Sequence, residues 1–310
     1  MKKVLIVLGA LLGVTGMAWS QVKVDEQFIP TEKALLWKIS GKDLQQPSYL
    51  FGTIHIIDKE DYFFTPYMQK ALDEAQSVAF EIDMEDMTDF SKIVGMMSSM
   101  YMKDNKTLRD LLSEEDYELV SDHFNEMGLP LMLLERIKPM FLSVLAGGGE
   151  NMMGFGQGGD EAEGGMVSYE MELTEAAKAK QKDIAGLETM EFQMSLFDSI
   201  PYDAQAKMLM SSIKAEKADT GENQLDQMVK MYKEQDIQGM QNMMDSDPDG
   251  LGGYEELLLQ KRNRNWIPQM AEMMGAGSVF FAVGAGHLGG EEGVISLLRQ
   301  AGYEVTPVRE

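Results

Sequence analysis

The sequence predicts an α/β (α+β) fold: a mixed central sheet built from both ends of the chain, with a large helical insertion packed over it. Three observations predict it. Between residues 48 and 82, a strand pattern, a helix pattern and a second strand pattern follow one another, as a βαβ unit requires. Residues 275–310 return to the same alternation. Between them, residues 84–274 carry mainly helical patterning. The economical arrangement is one sheet drawn from the two ends.

The elements follow in order. Ala34 to Ile39 reads as a strand, Gln46-Pro47 as a turn, and Ser48 to Phe51 as a second strand ending at Gly52. Tyr67 to Gln76 has helical spacing, with Met68, Leu72 and Ala75 on one face. Ser77 to Ile82 is a third strand. In the helical zone, Ser113 is an N-cap with Asp116 three positions on, and Gly128 ends the helix that runs through His123. Pro139 and Pro201 punctuate further helices, and 202–212 and 223–235 repeat the apolar three-and-four spacing. Gly147 to Gly165 holds nine glycines in nineteen residues; such composition predicts a flexible surface loop, with a lid as the alternative. Ser278 to Val283 is a fully apolar strand of the kind buried in a parallel sheet. A helix over 293–300 and a closing strand over 303–308 finish the chain.

Composition narrows the function. The chain has 310 residues, 27 Lys and Arg against 51 Asp and Glu, a net charge of −24, and no cysteine. Without cysteine there is no disulfide scaffold, thiol nucleophile, Cys-ligated zinc or lipoprotein anchor. The acidic balance argues against nucleic acid as a partner, since phosphate binders present a basic face. Residues 1–20 read as a signal peptide: Lys2 and Lys3, an apolar run from Val4 to Ala18, and Ala18-Trp19-Ser20 as a small–x–small cleavage site. No later apolar run is long enough for a transmembrane segment. The expectation is a periplasmic or secreted protein.

Two of the three histidines share a setting. Gly52-Thr53-Ile54-His55 and Gly284-Ala285-Gly286-His287 each follow a strand. Ligands of open α/β sheets sit beyond the carboxyl ends of strands, so neighbouring strands would let both imidazoles converge on one cleft. Imidazole suits proton transfer and borderline metals, but two histidines make an incomplete metal site and want a carboxylate. Glu81 is the first candidate, because it interrupts an apolar strand where an unpaired charge is costly. Glu188 is the second. His123 lies in an acidic helix and is expected to face solvent.

These residues resemble the TraB/GumN family, which includes the animal Tiki proteins. The resemblance rests on Leu36-Trp37-Lys38, Tyr49 to His55, Glu81 and Lys138-Pro139. It continues through Gly186-Leu187-Glu188-Thr189 with Glu191 and Gln193, Arg262-Asn263 with Trp266, Val283 to Leu288, and Gly302 to Val305. It covers most of residues 21–310. It implies an erythromycin-esterase/ChaN-like fold and a metal-dependent hydrolase that acts on a peptide or small-molecule substrate. The implied site is His55, Glu81, Glu188, Arg262 and His287. Where the family has Gly-x-Asp before the GLET segment, this chain has Ser168-Tyr169-Glu170, which leaves the role of that position open.

In that reading His55 and His287, with Glu81 or Glu188, hold a divalent metal ion. The other glutamate is the general base, and Arg262 steadies an oxyanion. The alternative is a non-catalytic protein that binds a peptide in a Met-rich helical groove, or haem or a metal. Two smaller readings stand beside these. The 28 methionines would either fill cores or, less simply, bind copper(I). Asp245 to Gly250 with Glu256 has the spacing of a calcium loop, though Pro248 and Gly252-Gly253 fit it poorly.

Overall fold

The structure is a computed structural model and describes residues 28–84, 89–146, 165–217, 224–246 and 251–309. The signal-like segment 1–20, residues 147–164 of the glycine-rich stretch, and Asp247 to Gly250 of the calcium-like loop lie outside the described residues.

The N-terminal part supplies β1 (Leu36–Ser40), β2 (Ser48–Thr53), β3 (Ile57–Asp58), α1 (Pro66–Glu74) and β4 (Ser77–Ile82). The helical zone follows with α2 (Phe90–Ser99), α3 (Glu114–Glu126), α4 (Leu131–Leu134) and α5 (Pro139–Ala146). It continues through β5 (Met166–Val167), α6 (Tyr169–Ala179), β6 (Asp183–Glu188), α7 (Met190–Asp198), α8 (Tyr202–Lys217), α9 (Gln224–Lys233) and α10 (Ile237–Asp245). A π-helical stretch, Glu256–Gln260, leads directly into α11 (Lys261–Ala276), then β7 (Val279–Gly284), α12 (Val294–Gln300) and β8 (Glu304–Pro307).

Six strands form one mixed sheet in the order β6-β4-β7-β2-β1-β8. β2, β7, β4 and β6 run parallel, and β1 is antiparallel to both β2 and β8. The α/β reading and the mixed sheet hold. The strand–helix–strand unit takes a wider form than adjacency would give: β7, from the far end of the chain, lies between β2 and β4. Its wholly apolar run is buried from Val279 to Val283, which only a central position explains. The zone read as helical also gives the sheet an edge strand, β6. Asp-Ile-Ala-Gly-Leu-Glu has little β-propensity of its own and gains strand geometry by pairing with β4.

The helical block has a second core, with Phe124, Leu134, Leu142, Leu209 and Ile213 buried together. Ser113 caps α3 by accepting from the Asp116 N–H at 3.1 Å, and Gly128 closes it with φ +77°. His123 departs from expectation. It is buried and packs edge-on against Phe124, with ring centroids 5.4 Å apart. The acidic residues of α3 face away, while Tyr117, Val120, His123 and Phe124 form its inner face. Met100, Met102 and Met210 lie in this core, and Met240, Met270 and Met274 in the main one, so these methionines serve packing. Glu256 of the calcium-like spacing pairs with Arg264 on α11. Among the described residues no helix is long and apolar enough to cross a membrane.

One stability prediction arises here. Glu255, at the start of the π-helical stretch, is pushed up to about 7 by burial and by the neighbouring Asp245 carboxylate. The folded chain therefore holds a proton that the unfolded chain releases near 4.5. Stability linked to this group is present below that value and falls as pH rises toward 7. Glu255→Gln is expected to flatten the fall in melting temperature between about pH 5 and pH 7. An unchanged slope would show that the proton is not held there.

Candidate active site

Four parallel strands deliver the site. Glu81 is the penultimate residue of β4, Glu188 the last of β6, His55 follows β2, and His287 follows β7. Parallel register brings these ends level: Thr53 stands beside Gly284, and Ile82 beside Glu188. Gly52 allows the tight approach, since a Cβ there would lie 2.8 Å from Leu288 Cδ1 and 3.1 Å from Ala285 Cα.

Arg262 lies at the centre. Its Nη2 donates to Glu81 Oε2 at 2.5 Å and its Nε to Glu188 Oε2 at 2.9 Å. Nη1 donates to the Leu258 carbonyl at 2.9 Å and lies 3.2 Å from His287 Nε2. The π-helical stretch provides that carbonyl and sets the guanidinium at the first turn of α11. Gln193, in the first turn of α7, donates to Glu81 Oε2 at 3.1 Å and to Glu188 Oε2 at 3.3 Å. All three charged side chains are buried or nearly so.

The next residues of α11 explain the Arg-Asn-x-x-Trp spacing. The Asn263 amide nitrogen donates to the carbonyls of His287 and Glu292, which turns its oxygen toward His287 Nδ1 at 2.6 Å. Nδ1 therefore carries the proton and Nε2 keeps its lone pair. Trp266 stacks on the same imidazole, with centroids 4.4 Å apart. The bare Nε2 lies 3.6 Å from Glu81 Oε1, and that oxygen also accepts from the Gly284 N–H at 2.8 Å.

His55 is held from the other side. Its Nδ1 donates to Glu170 Oε1 at 3.1 Å, and Glu170 also accepts from Thr53 at 2.7 Å and Ser168 at 3.1 Å. The position that departs from the family pattern thus orients one of the two matched histidines.

Charge follows from these contacts. Partial desolvation of the ring opposes the charged form of His55, but the charge and hydrogen bond of Glu170, with help from Glu81, raise its pKa to about 9. The side chain is 57% exposed, so water screens part of that attraction. Burial pushes His287 down to about 3, leaving it neutral at pH 7. Burial also opposes ionisation of Glu81. The charges that His287, Arg262 and His55 can carry, and the Gly284 N–H, more than offset it and hold the carboxyl well below its usual range. With His287 neutral, Arg262 and His55 carry that effect near pH 7. Glu188 moves the other way, raised by burial against the pull of Arg262 and Gln193. Among the described residues its buried Oε1 has no hydrogen-bond partner.

Glu81, Glu188, Arg262 and His287 are thus brought together, and His55 lies near enough to feel Glu81 and Arg262. The ligand set offered by the sequence, His55, His287 and Glu81, does not close into a cage. Among the described residues no three His, Asp or Glu side chains are placed to hold an ion. The physical reason is that the Arg262 guanidinium fills the space between the carboxylates and His287, while His55 turns to Glu170.

The profile of the TraB/PrgY/gumN family matches residues 35–307. The chain belongs to that family. Curated relatives include Metalloprotease TIKI2 of Danio rerio, 24% identical over 323 residues that cover 89% of this chain and 62% of that protein. Metalloprotease TIKI1 of Homo sapiens is 24% identical over 336 residues, covering 94% of this chain and 65% of that one. The chain spans about three fifths of the length of the first of these relatives. No solved structure gives a significant match. For a TraB/PrgY/gumN chain, the sheet now supplies the reason for the motif spacings. His55, Glu81, Glu188 and His287 sit on or just past a parallel strand, and Arg262 on the first turn of α11. The sequence alone did not give roles to Gln193, which bridges the carboxylates, or to Asn263, which fixes the His287 tautomer. Polar residues one and five positions past a charged motif residue were the available signal.

Proposed function

We propose that this chain is an exported, metal-dependent hydrolase acting on peptides, with residues 1–20 directing it to the periplasm or outside the cell. The observation that carries the reading is the buried Glu81–Arg262–Glu188 group with the His287 Nε2 lone pair beside it. The donor types suit a divalent ion, although among the described residues they are not placed around one. In both histidines Nδ1 is engaged by an acceptor, Glu170 or Asn263, the arrangement that orients Nε2 of metal-bound imidazoles. Glu81 supplies a carboxylate that is ionised across the neutral range, and Glu188 Oε1 is a buried acceptor without a hydrogen-bond partner among the described residues.

With the Arg262 guanidinium moved out from between them, His55, His287 and Glu81 would hold the ion, which when bound would supply Lewis acidity toward a carbonyl and a more acidic water. The protein's own groups do the rest. Glu188, with its raised pKa, accepts a proton. Arg262 keeps two buried carboxylates apart in charge and faces the place where negative charge grows on a substrate oxygen. Asn263 and Glu170 hold the imidazole orientations. The relatives named metalloproteases support the metal and the peptide.

The test is metal analysis of purified protein with a peptide-cleavage screen. We expect roughly one divalent ion per chain, lost in His287→Ala and His55→Ala, with cleavage reduced about 100-fold or more. Metal content that survives loss of both histidines, or cleavage that ignores them, would sink the proposal.

A further inference from the structure

A second group of charges lies away from the strand ends. Two short segments, 100–102 and 136–138, pair through the Met102 N–H to the Arg136 carbonyl at 2.7 Å and the Lys138 N–H to the Met100 carbonyl at 2.8 Å. This pairing gathers Lys103, Arg136 and Lys138 around a cavity of about 670 Å³ between α2 and the end of α7. Lys138 is 1% exposed, and its Nζ reaches Asp198 Oδ1 at 2.5 Å; Asp198 Oδ2 takes Lys103 at 2.8 Å. Three cations and one carboxylate thus line the cavity, a local surplus of positive charge in a chain of net −24 even with Asp104 acting on Lys103 from beside it.

A buried lysine paired in this way is a weak stabiliser, because desolvation cancels most of the attraction. The cavity offers another reason for it. Beside the cavity α2 exposes an apolar stripe, Phe90, Val94 and Met97, continued by Tyr101 just past its end. Steps of four, three and four place these side chains in line. Gly95, on the cavity side, has nothing within 4 Å of where a Cβ would stand.

We propose that this cavity binds an acidic peptide. A carboxylate of the peptide enters between Lys103, Arg136 and Lys138, and its apolar neighbours lie along the α2 stripe. Charge complementarity selects the acid, and guanidinium and ammonium donors give charge-assisted hydrogen bonds to it. The stripe selects a peptide over a small inorganic anion. The same helix that carries Asp198 at its end carries Gln193 at its start, so the cavity and the strand-end carboxylates share α7. The proposal does not depend on hydrolysis or on a metal, because it concerns binding alone.

The test uses the full chain and three probes: a blocked pentapeptide with one glutamate among leucines, its glutamine counterpart, and inorganic phosphate. Calorimetry or fluorescence anisotropy reads binding. The glutamate peptide is expected to bind at least about tenfold more tightly than the glutamine peptide or phosphate. Lys103→Gln with Arg136→Gln, both at exposed positions, is expected to weaken it by about tenfold or more, and added salt to weaken it further. Gly95→Glu, which fills open space with a competing carboxylate, is expected to abolish it. Binding of phosphate as tight as that of the peptide would overturn the peptide reading. No binding of the glutamate peptide, or binding unchanged in both variants, would overturn the site itself.

Discussion

Arg262→Met is expected to cost about 3–5 kcal/mol of stability at pH 7, the cost of leaving buried charges unpaired. The guanidinium is the only cation that touches both Glu81 and Glu188 among the described contacts. Without it, two carboxylates face each other with only Gln193 between them. The loss should shrink as pH falls, because Glu188, already raised by burial, takes up a proton first and removes one of the charges. Adding Glu188→Gln to Arg262→Met should recover part of the loss at pH 7 for the same reason. Arg262→Lys should not substitute, since an ammonium cannot span two carboxylates and a carbonyl as the planar fork does. Urea denaturation of the four chains at pH 7 and pH 5 measures this. A cost below about 1 kcal/mol for Arg262→Met would mean that water reaches the group freely, and the proposed site would lose its foundation.

How far the sequence could be read depends on the length scale of the force involved. The central strands were legible because burial writes itself locally: the apolar run that became β7, and the single charge of Glu81 within β4, are both visible in six residues. The matched glycine–histidine turns were legible for the same reason. β6 was not, because its strand geometry comes from a partner roughly a hundred residues earlier. The acidic neighbours of His123 point to solvent, whereas the Tyr117–Val120–Phe124 stripe on the same helix draws it into the core. The centre of the site was half legible. Arg262 could be named as a member, but it pairs with a carboxylate 181 residues away, and no local pattern says that it will stand between the carboxylates and His287. The hold of Glu170 on His55 spans 115 residues and was hidden in the same way.

Gly186→Ala is the other change expected to have a large effect, and it acts through the sheet. A Cβ at Gly186 would lie 2.4 Å from the Asp83 nitrogen and 2.9 Å from the Ile82 carbonyl carbon and the Glu188 oxygen. All three are backbone atoms, so no side chain can swing aside; β6 must move off β4. Gly186 stands opposite Phe80, and Glu188 opposite Ile82, so the movement carries Glu188 away from Arg262 as well. Overpacking of this kind costs about 1–3 kcal/mol, and rigid neighbours place this case near the top of that range. Gly95→Ala is the matched comparison. It sits inside α2 with open space around it, so the methyl should instead add about 0.5–1 kcal/mol through helix propensity. The two alanines therefore move stability in opposite directions, and only the one on β6 should also disturb the pairing of Glu188 with Arg262. If Gly186→Ala proves as mild as Gly95→Ala, β4 and β6 do not approach so closely, and the alignment of Glu81 with Glu188 must come from α7 and α11 rather than from the sheet.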